Sequence, residues 1–309
     1  MTLLQLQGIK EIVGKYGLTV SAFEPFSGGA ANSSYWLQAR EGDYVLTIFD
    51  EKTQGYVARL GQLLLRLAEW EFPTTRLLLP TKSGLVTMYR DKPVMLKTFI
   101  PGEVNTAWNE ALLHQVGMAL ASLHQIPAPD FLPSNHPYGR QAFTTVIGQN
   151  VHPVYESWLA EQHAYLAQHI PQQLPYALIH GDLFYDNVLI EGQTLRAIID
   201  FEEACHYYRV FDLGMAIVGL CTEGETAALD KAQALVNGYQ QAQRLEGREK
   251  ETLQLFVEYA AIATSHWRFW KYYIHTPQSE EADKPFAMMR LAETIRAIPK
   301  ATFLNAIFN

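Results

Sequence analysis

Residues 180–201 read HGDLFYDNVLIEGQTLRAIIDF. Two short apolar runs, 188–190 and 198–199, flank a turn and predict a small β-hairpin within 176–200, with Asp182, Asn187 and Asp200 crowding its ends. Around this hairpin the pattern is helical. TAWNEALLHQVGMALASLHQI sets Leu112, Val116, Leu120 and Leu123 on one face, and further helical periodicity covers roughly 152–169, 209–221, 225–243, 248–274 and 286–297. Before residue 101 the pattern differs. LTVSAFEPF, SSYWLQA, DYVLTIF, GLVTMYR and PVMLKTFI are short, rich in β-branched and aromatic residues, and separated by Gly, Asp and Lys turns. They predict antiparallel strands crossed by one helix, YVARLGQLLLRLAEW, whose Leu60, Leu63, Leu64 and Leu67 share a face. Pro101 and Gly102 mark the change. The expected fold is α+β and bilobal, with a β-rich N-terminal lobe over 1–100 and a mostly helical C-terminal lobe over 101–309.

Composition narrows the partners. With 309 residues, 48% of them hydrophobic, the chain can bury a sizeable core. A net charge of −8 disfavours long-range attraction to nucleic acid or anionic lipid and leaves small molecules as the expected partners. The 2 cysteines, Cys205 and Cys221, are too few for a disulfide scaffold and lack metal-ligand spacing, which suits a reducing, cytoplasmic setting. MTLLQLQGIKEIVGKYG predicts an amphipathic helix with no cleavage signature after it. VFDLGMAIVGLC, the most apolar later stretch, is about half the ~20 residues of a membrane span and contains Asp212.

An Asp or Asn beside a turn commonly caps backbone groups. Together, Asp182, Asn187 and Asp200 have a chemical use. Phosphoryl transfer needs a carboxylate to orient a hydroxyl and take its proton, and oxygen ligands to hold magnesium against nucleotide phosphates. Asp182 suits the first task, and Asn187 and Asp200 the second. Asp186 reads as a turn residue and His180 as a histidine that holds the loop. HGDLFYDNVL followed by IIDFEEA resembles the aminoglycoside-phosphotransferase-like superfamily, and the resemblance implies a protein-kinase-like fold acting with ATP and Mg2+. The likeness is greatest to type II homoserine kinases. GGAANSSY, YVLTIF, HGDLF, DNVL, FDLG and the C-terminal RFW carry it over most of residues 20–290. It implies phosphorylation of homoserine to O-phosphohomoserine, with Asp182 as base.

The nucleotide side rests on FSGGAANSSYWL, where Gly28 and Gly29 permit close backbone approach and Ser27, Asn32 or Ser33 would donate hydrogen bonds to phosphate. Thr47 stands where the superfamily has a phosphate-binding lysine, and Leu60 where its glutamate partner falls; loss of both avoids an unpaired buried charge. Backbone groups at 97–100, including Lys97 and Phe99, would meet adenine. DFEEACHYYRVFDLG is also similar to choline and ethanolamine kinases, and Tyr185 replaces the arginine usual before DN in homoserine kinases. Substrate candidates are Glu202 and Glu203 for an ammonium, Arg209 or Arg268 for a carboxylate, and Tyr208 and Trp267 for a quaternary amine. The acceptor is thus an amino acid or amino alcohol, homoserine first, with choline, ethanolamine, an aminoglycoside or an amino sugar as alternatives. A non-catalytic nucleotide binder is the reading from a different class.

Overall fold

The computed structural model describes residues 2–26, 32–82 and 84–309. Two compact units emerge, one of Met1–Gly102 with Arg196–Ile199, the other of Glu103–Leu195 with Asp200–Asn309. The first differs from the 1–100 lobe expected from sequence by taking in Arg196–Ile199. A hydrogen bond from Ile198 N to Pro73 O, 2.9 Å, ties that segment there.

In the first unit, helix α1 (Leu6–Gly14) precedes strands β1 (Val20–Pro25), β2 (Ser33–Ala39) and β3 (Gly42–Ile48), then helix α2 (Gln54–Glu69). Strands β4 (Leu77–Leu78), β5 (Thr87–Tyr89) and β6 (Lys92–Thr98) complete one sheet of order β1-β2-β3-β6-β4, with β5 also on β6. The β1-β2, β2-β3, β3-β6, β4-β6 and β5-β6 pairs are antiparallel. Period-2 alternation sets the two faces. Tyr35, Leu37, Leu46, Ile48, Val94 and Leu96 are buried in one cluster with Ile9, Ile12 and Val13 of α1. Thr47, one residue out of phase, sits opposite Ser34 and Met95. The predicted leucine face of α2 is buried.

The second unit opens with strand β7 (Glu103–Val104) and helices α3 (Glu110–Leu123) and α4 (Pro153–His169). Asn109 caps α3 by accepting Leu112 N, 2.9 Å. Strands β8 (Tyr176–Ile179), β9 (Val188–Glu191), β10 (Thr194–Ile198, which runs on into the first unit's Arg196–Ile199 segment) and β11 (Cys205–Tyr208) follow, then helices α5 (Arg209–Leu220), α6 (Leu229–Ala242), α7 (Gly247–Phe269), α8 (Lys284–Ala297) and α9 (Lys300–Phe308). The hairpin is shorter than the 176–200 element expected. It is β9-β10, with β9 also pairing β7, whereas β8 leaves to pair β11. Sequence periodicity also missed α9, a short helix held by buried Phe303 and Ile307. Among the described residues no helix is long and apolar enough to cross a membrane.

Candidate active site

Loop 180–187 leaves β8 through Gly181, whose φ of +84° suits glycine and strains other residues. A Cβ there would stand 2.8 Å from the Glu203 carbonyl oxygen and 2.9 Å from His136 Nε2. Gly219 of α5 gives the same loop room on another side, since a Cβ at 219 would fall 2.3 Å from Leu183 O.

Wholly buried Asp212 of α5 grips the loop backbone. Its carboxylate accepts His180 N and Gly181 N, each at 2.8 Å, and His124 Nε2 at 3.0 Å. The Tyr239 hydroxyl lies 2.8 Å from His124 Nδ1. Burial alone would raise the Asp212 carboxyl. The His124 hydrogen bond and attraction, with help from His180 and the Gly181 amide, outweigh burial and hold it below the ordinary value. Gly181 O in turn accepts from His136 Nε2, 2.9 Å. Burial lowers His136 to about 4, so its ring is neutral near pH 7 with the proton on Nε2. The His180 ring accepts Asp182 N at 3.2 Å through Nδ1, the loop-holding part expected of it.

Holding both the amide and the carbonyl of Gly181 fixes Asp182. Its Oδ1 accepts from the Tyr138 hydroxyl at 2.6 Å, which leaves Oδ2 as the oxygen available to a ligand. Burial pushes the Asp182 carboxyl above its ordinary value; Tyr138 and His180 pull it down, while the charges of Asp200 and Asp186 add to the rise. Asp186 is exposed in the turn that ends in Asn187. Asn187 Nδ2 donates to Asp182 O, 2.7 Å, so its Oδ1 remains as an acceptor. Asp200 is exposed with φ +65°, a conformation few non-glycine residues adopt, and its Oδ1 accepts Glu202 N over a long 3.4 Å.

These donors fit magnesium. Mutual repulsion among the carboxylates at Asp182, Asp186 and Asp200 is relieved by a divalent cation, and an amide oxygen beside a carboxylate is hard-oxygen ligation. Among the described residues no cluster of three or more His, Cys, Asp or Glu could hold a metal by itself.

The other predicted residues divide sharply. Ser27, Gly28 and Gly29 lie outside the described residues. Asn32 is half-buried just before β2. The Ser33 hydroxyl, expected at a phosphate, instead donates to Asp50 Oδ2, 2.6 Å, and accepts Thr2 N, 2.7 Å. Burial works to raise Asp50, but bonds from Lys92, Ser33 and Thr2 bring it down to about 2. Thr47 is buried, its hydroxyl 3.4 Å from that of Ser34. Lys97 lies between Val45 and Leu77 in the sheet, and Phe99 N donates to Asp43 O, 3.0 Å. That takes the Phe99 amide out of the adenine contact expected of it and leaves the carbonyl.

In the second unit, Tyr208 packs in an aromatic group with Tyr176, Tyr207 and Phe256. Arg209 leaves the substrate candidates. Its Nε and Nη2 donate to the two oxygens of buried Glu249, 2.7 and 2.5 Å, a bidentate ion pair between α5 and α7. Replacing Glu249 by Ala strands a buried guanidinium, and urea denaturation is expected to show a loss of about 3 to 5 kcal/mol. Glu203 acts electrostatically on Tyr138. Trp267 and Arg268, both half-buried, stay near the loop. The Trp267 and Tyr138 rings are 6.3 Å apart, and the Arg268 guanidinium lies 5.8 Å from the Phe184 ring. Phe269, by contrast, stacks between Tyr155 and Tyr273. Tyr138, His136 and His124 were not foreseen. Asp212 alone carried a signal, a lone carboxylate in an apolar helix that must be answered by hydrogen bonds.

A family model described as a phosphotransferase enzyme family matches residues 22–249. The chain belongs to that family. This phosphotransferase is 26% identical to a homoserine kinase of Rhizobium meliloti (strain 1021) over 261 residues, 79% of this chain and 77% of that one. It is 30% identical to a homoserine kinase of Chelativorans sp. (strain BNC1) over 258 residues, 78% and 77% of the two chains. Solved structures share the fold. A spectinomycin phosphotransferase in complex with ADP and spectinomycin gives a TM-score of 0.64 at 15% identity, covering 99% of this chain and 98% of that one. A choline/ethanolamine kinase family protein from Mesorhizobium loti gives 0.65 at 17%, covering 93% and 92%. The phosphotransferase therefore has the expected kinase-like fold, a β-sheet N-terminal part and a helical C-terminal part.

Proposed function

We propose that the protein is an ATP- and magnesium-dependent kinase that phosphorylates the hydroxyl of homoserine. The observation that carries the reading is the state of Asp182: half-buried, aimed by Tyr138, and set on a backbone gripped by Asp212. Oδ2 would accept the hydroxyl proton as the oxygen attacks the terminal phosphate. Asn187 Oδ1 and Asp200 would hold magnesium, which when bound neutralises phosphate charge. Nucleotide in a related fold and homoserine kinase names among relatives at 26 and 30% identity support the donor and acceptor. With Thr47 in place of a lysine, more of the phosphate charge would fall to the metal. Trp267 and Tyr138 beside Asp182 favour a second reading, an amino alcohol such as choline held against aromatic faces.

Purified protein with Mg-ATP should release ADP in the presence of homoserine, and at least about tenfold more slowly with threonine, choline, ethanolamine or an aminoglycoside. Choline-dependent release without homoserine-dependent release would establish the second reading instead. ATP binding with no turnover on any acceptor would identify a non-catalytic binder.

A further inference from the structure

Arg268 occupies the last turn of α7, immediately before a π-helical turn, Trp270–His275, a distortion that recurs at functional sites. Its guanidinium is half-buried. Among the described residues it makes no hydrogen bond and meets no carboxylate within salt-bridge distance, and it lies against the face of Phe184, two residues from Asp182. Three arginines of this unit are answered by carboxylates: Arg209 by Glu249, Arg290 by Glu225 and Asp283, Arg296 by Glu258. A guanidinium taken partly out of water with no anion to meet is costly unless a ligand brings one.

We infer that Arg268 receives the carboxylate of the acceptor and thereby selects hydroxy amino acids over amino alcohols. This rests on the kinase reading of the site and assigns its specificity. The arrangement suits a small zwitterion. Phe184 shields one side of the guanidinium, and Trp267 beside it reaches Tyr138, the residue that aims Asp182. Desolvation lowers Arg268 from its ordinary value, while Tyr272, Asp182, Asp186 and Tyr138 act against that. A planar fork meeting a carboxylate makes two parallel charge-assisted bonds, which a lysine cannot reproduce.

The test compares homoserine with 3-aminopropan-1-ol, which has the same hydroxyl and amine but no carboxylate, in the parent, Arg268→Ala and Arg268→Lys. Melting temperatures are recorded for all three. The parent should prefer homoserine in kcat/KM by about 100-fold, and Arg268→Ala should erase that preference, chiefly through the KM for homoserine and with a smaller change in the KM for ATP. Arg268→Lys should recover part of the preference. Equal loss on both acceptors, or a change centred on ATP, overturns the inference and puts the guanidinium at the phosphoryl group. If the parent ignores homoserine but prefers another hydroxy amino acid to its decarboxylated analogue, the homoserine reading falls and the role of Arg268 stands. No preference by the parent for any carboxylate-bearing acceptor over its decarboxylated analogue overturns the inference.

Discussion

Asp182→Asn is expected to lower kcat by about 1000-fold or more, with nucleotide affinity changed by no more than about threefold. Asparagine keeps the shape and still accepts the Tyr138 hydrogen bond, so the change removes proton acceptance and little else. The same substitution should leave the melting temperature unchanged or raised by a few degrees. Burial and the charges of Asp200 and Asp186 all disfavour an ionised Asp182 in the folded protein, and a neutral isostere is relieved of that cost. Lost turnover with retained or improved stability separates a catalytic carboxylate from a structural one. Turnover within about tenfold of the parent would remove Asp182 from the role of base, whatever the stability.

What could be read in the chain was what is local. SSYWLQA became β2 because alternation at 33–39 puts Tyr35 and Leu37 on one face, and the leucine faces of α2 and α3 followed from spacing alone. Asp182, Asn187 and Asp200 were visible because one loop and one hairpin carry all three. Non-local pairing was not visible. β8 looks like a partner for the apolar runs that follow it, yet it pairs with β11 after an intervening hairpin. The residues that aim Asp182 come from elsewhere in the chain: Tyr138 after α3, Asp212 from α5, His124 from the end of α3. Ser33 and Arg209 have the right chemistry for ligands but are already engaged, Ser33 with Asp50 and Arg209 with Glu249. Residue type names a capability; only the fold reveals whether another group has claimed it.

Asp212→Ala is expected to cost about 3 to 5 kcal/mol in chemical denaturation and to abolish turnover, although Asp212 has no atom for substrate. The loss arises from what stays behind. His180 N and Gly181 N are buried donors with no water to take the place of the carboxylate, and His124 Nε2 loses its acceptor. Gly181 at φ +84° would no longer be held, and Asp182 follows it in sequence. Asp212→Asn tests the charge separately. The two amides donate to different carboxylate oxygens, so asparagine accepts one and turns an NH2 group toward the other, and it should recover only part of the stability and little of the activity. The pH dependence has a definite sign. A folded-state carboxyl held below its ordinary value binds its proton more weakly than in the unfolded chain, so the contribution of Asp212 is complete above about pH 4 and lost as pH falls below that. Denaturation curves at pH 7 and pH 3 should therefore converge between the parent and Asp212→Asn at the lower pH. A difference that stayed constant across that range would show that ionisation of Asp212 does not hold the loop. The packing of Gly219 against Leu183 would then be left to place the Asp182 carboxylate.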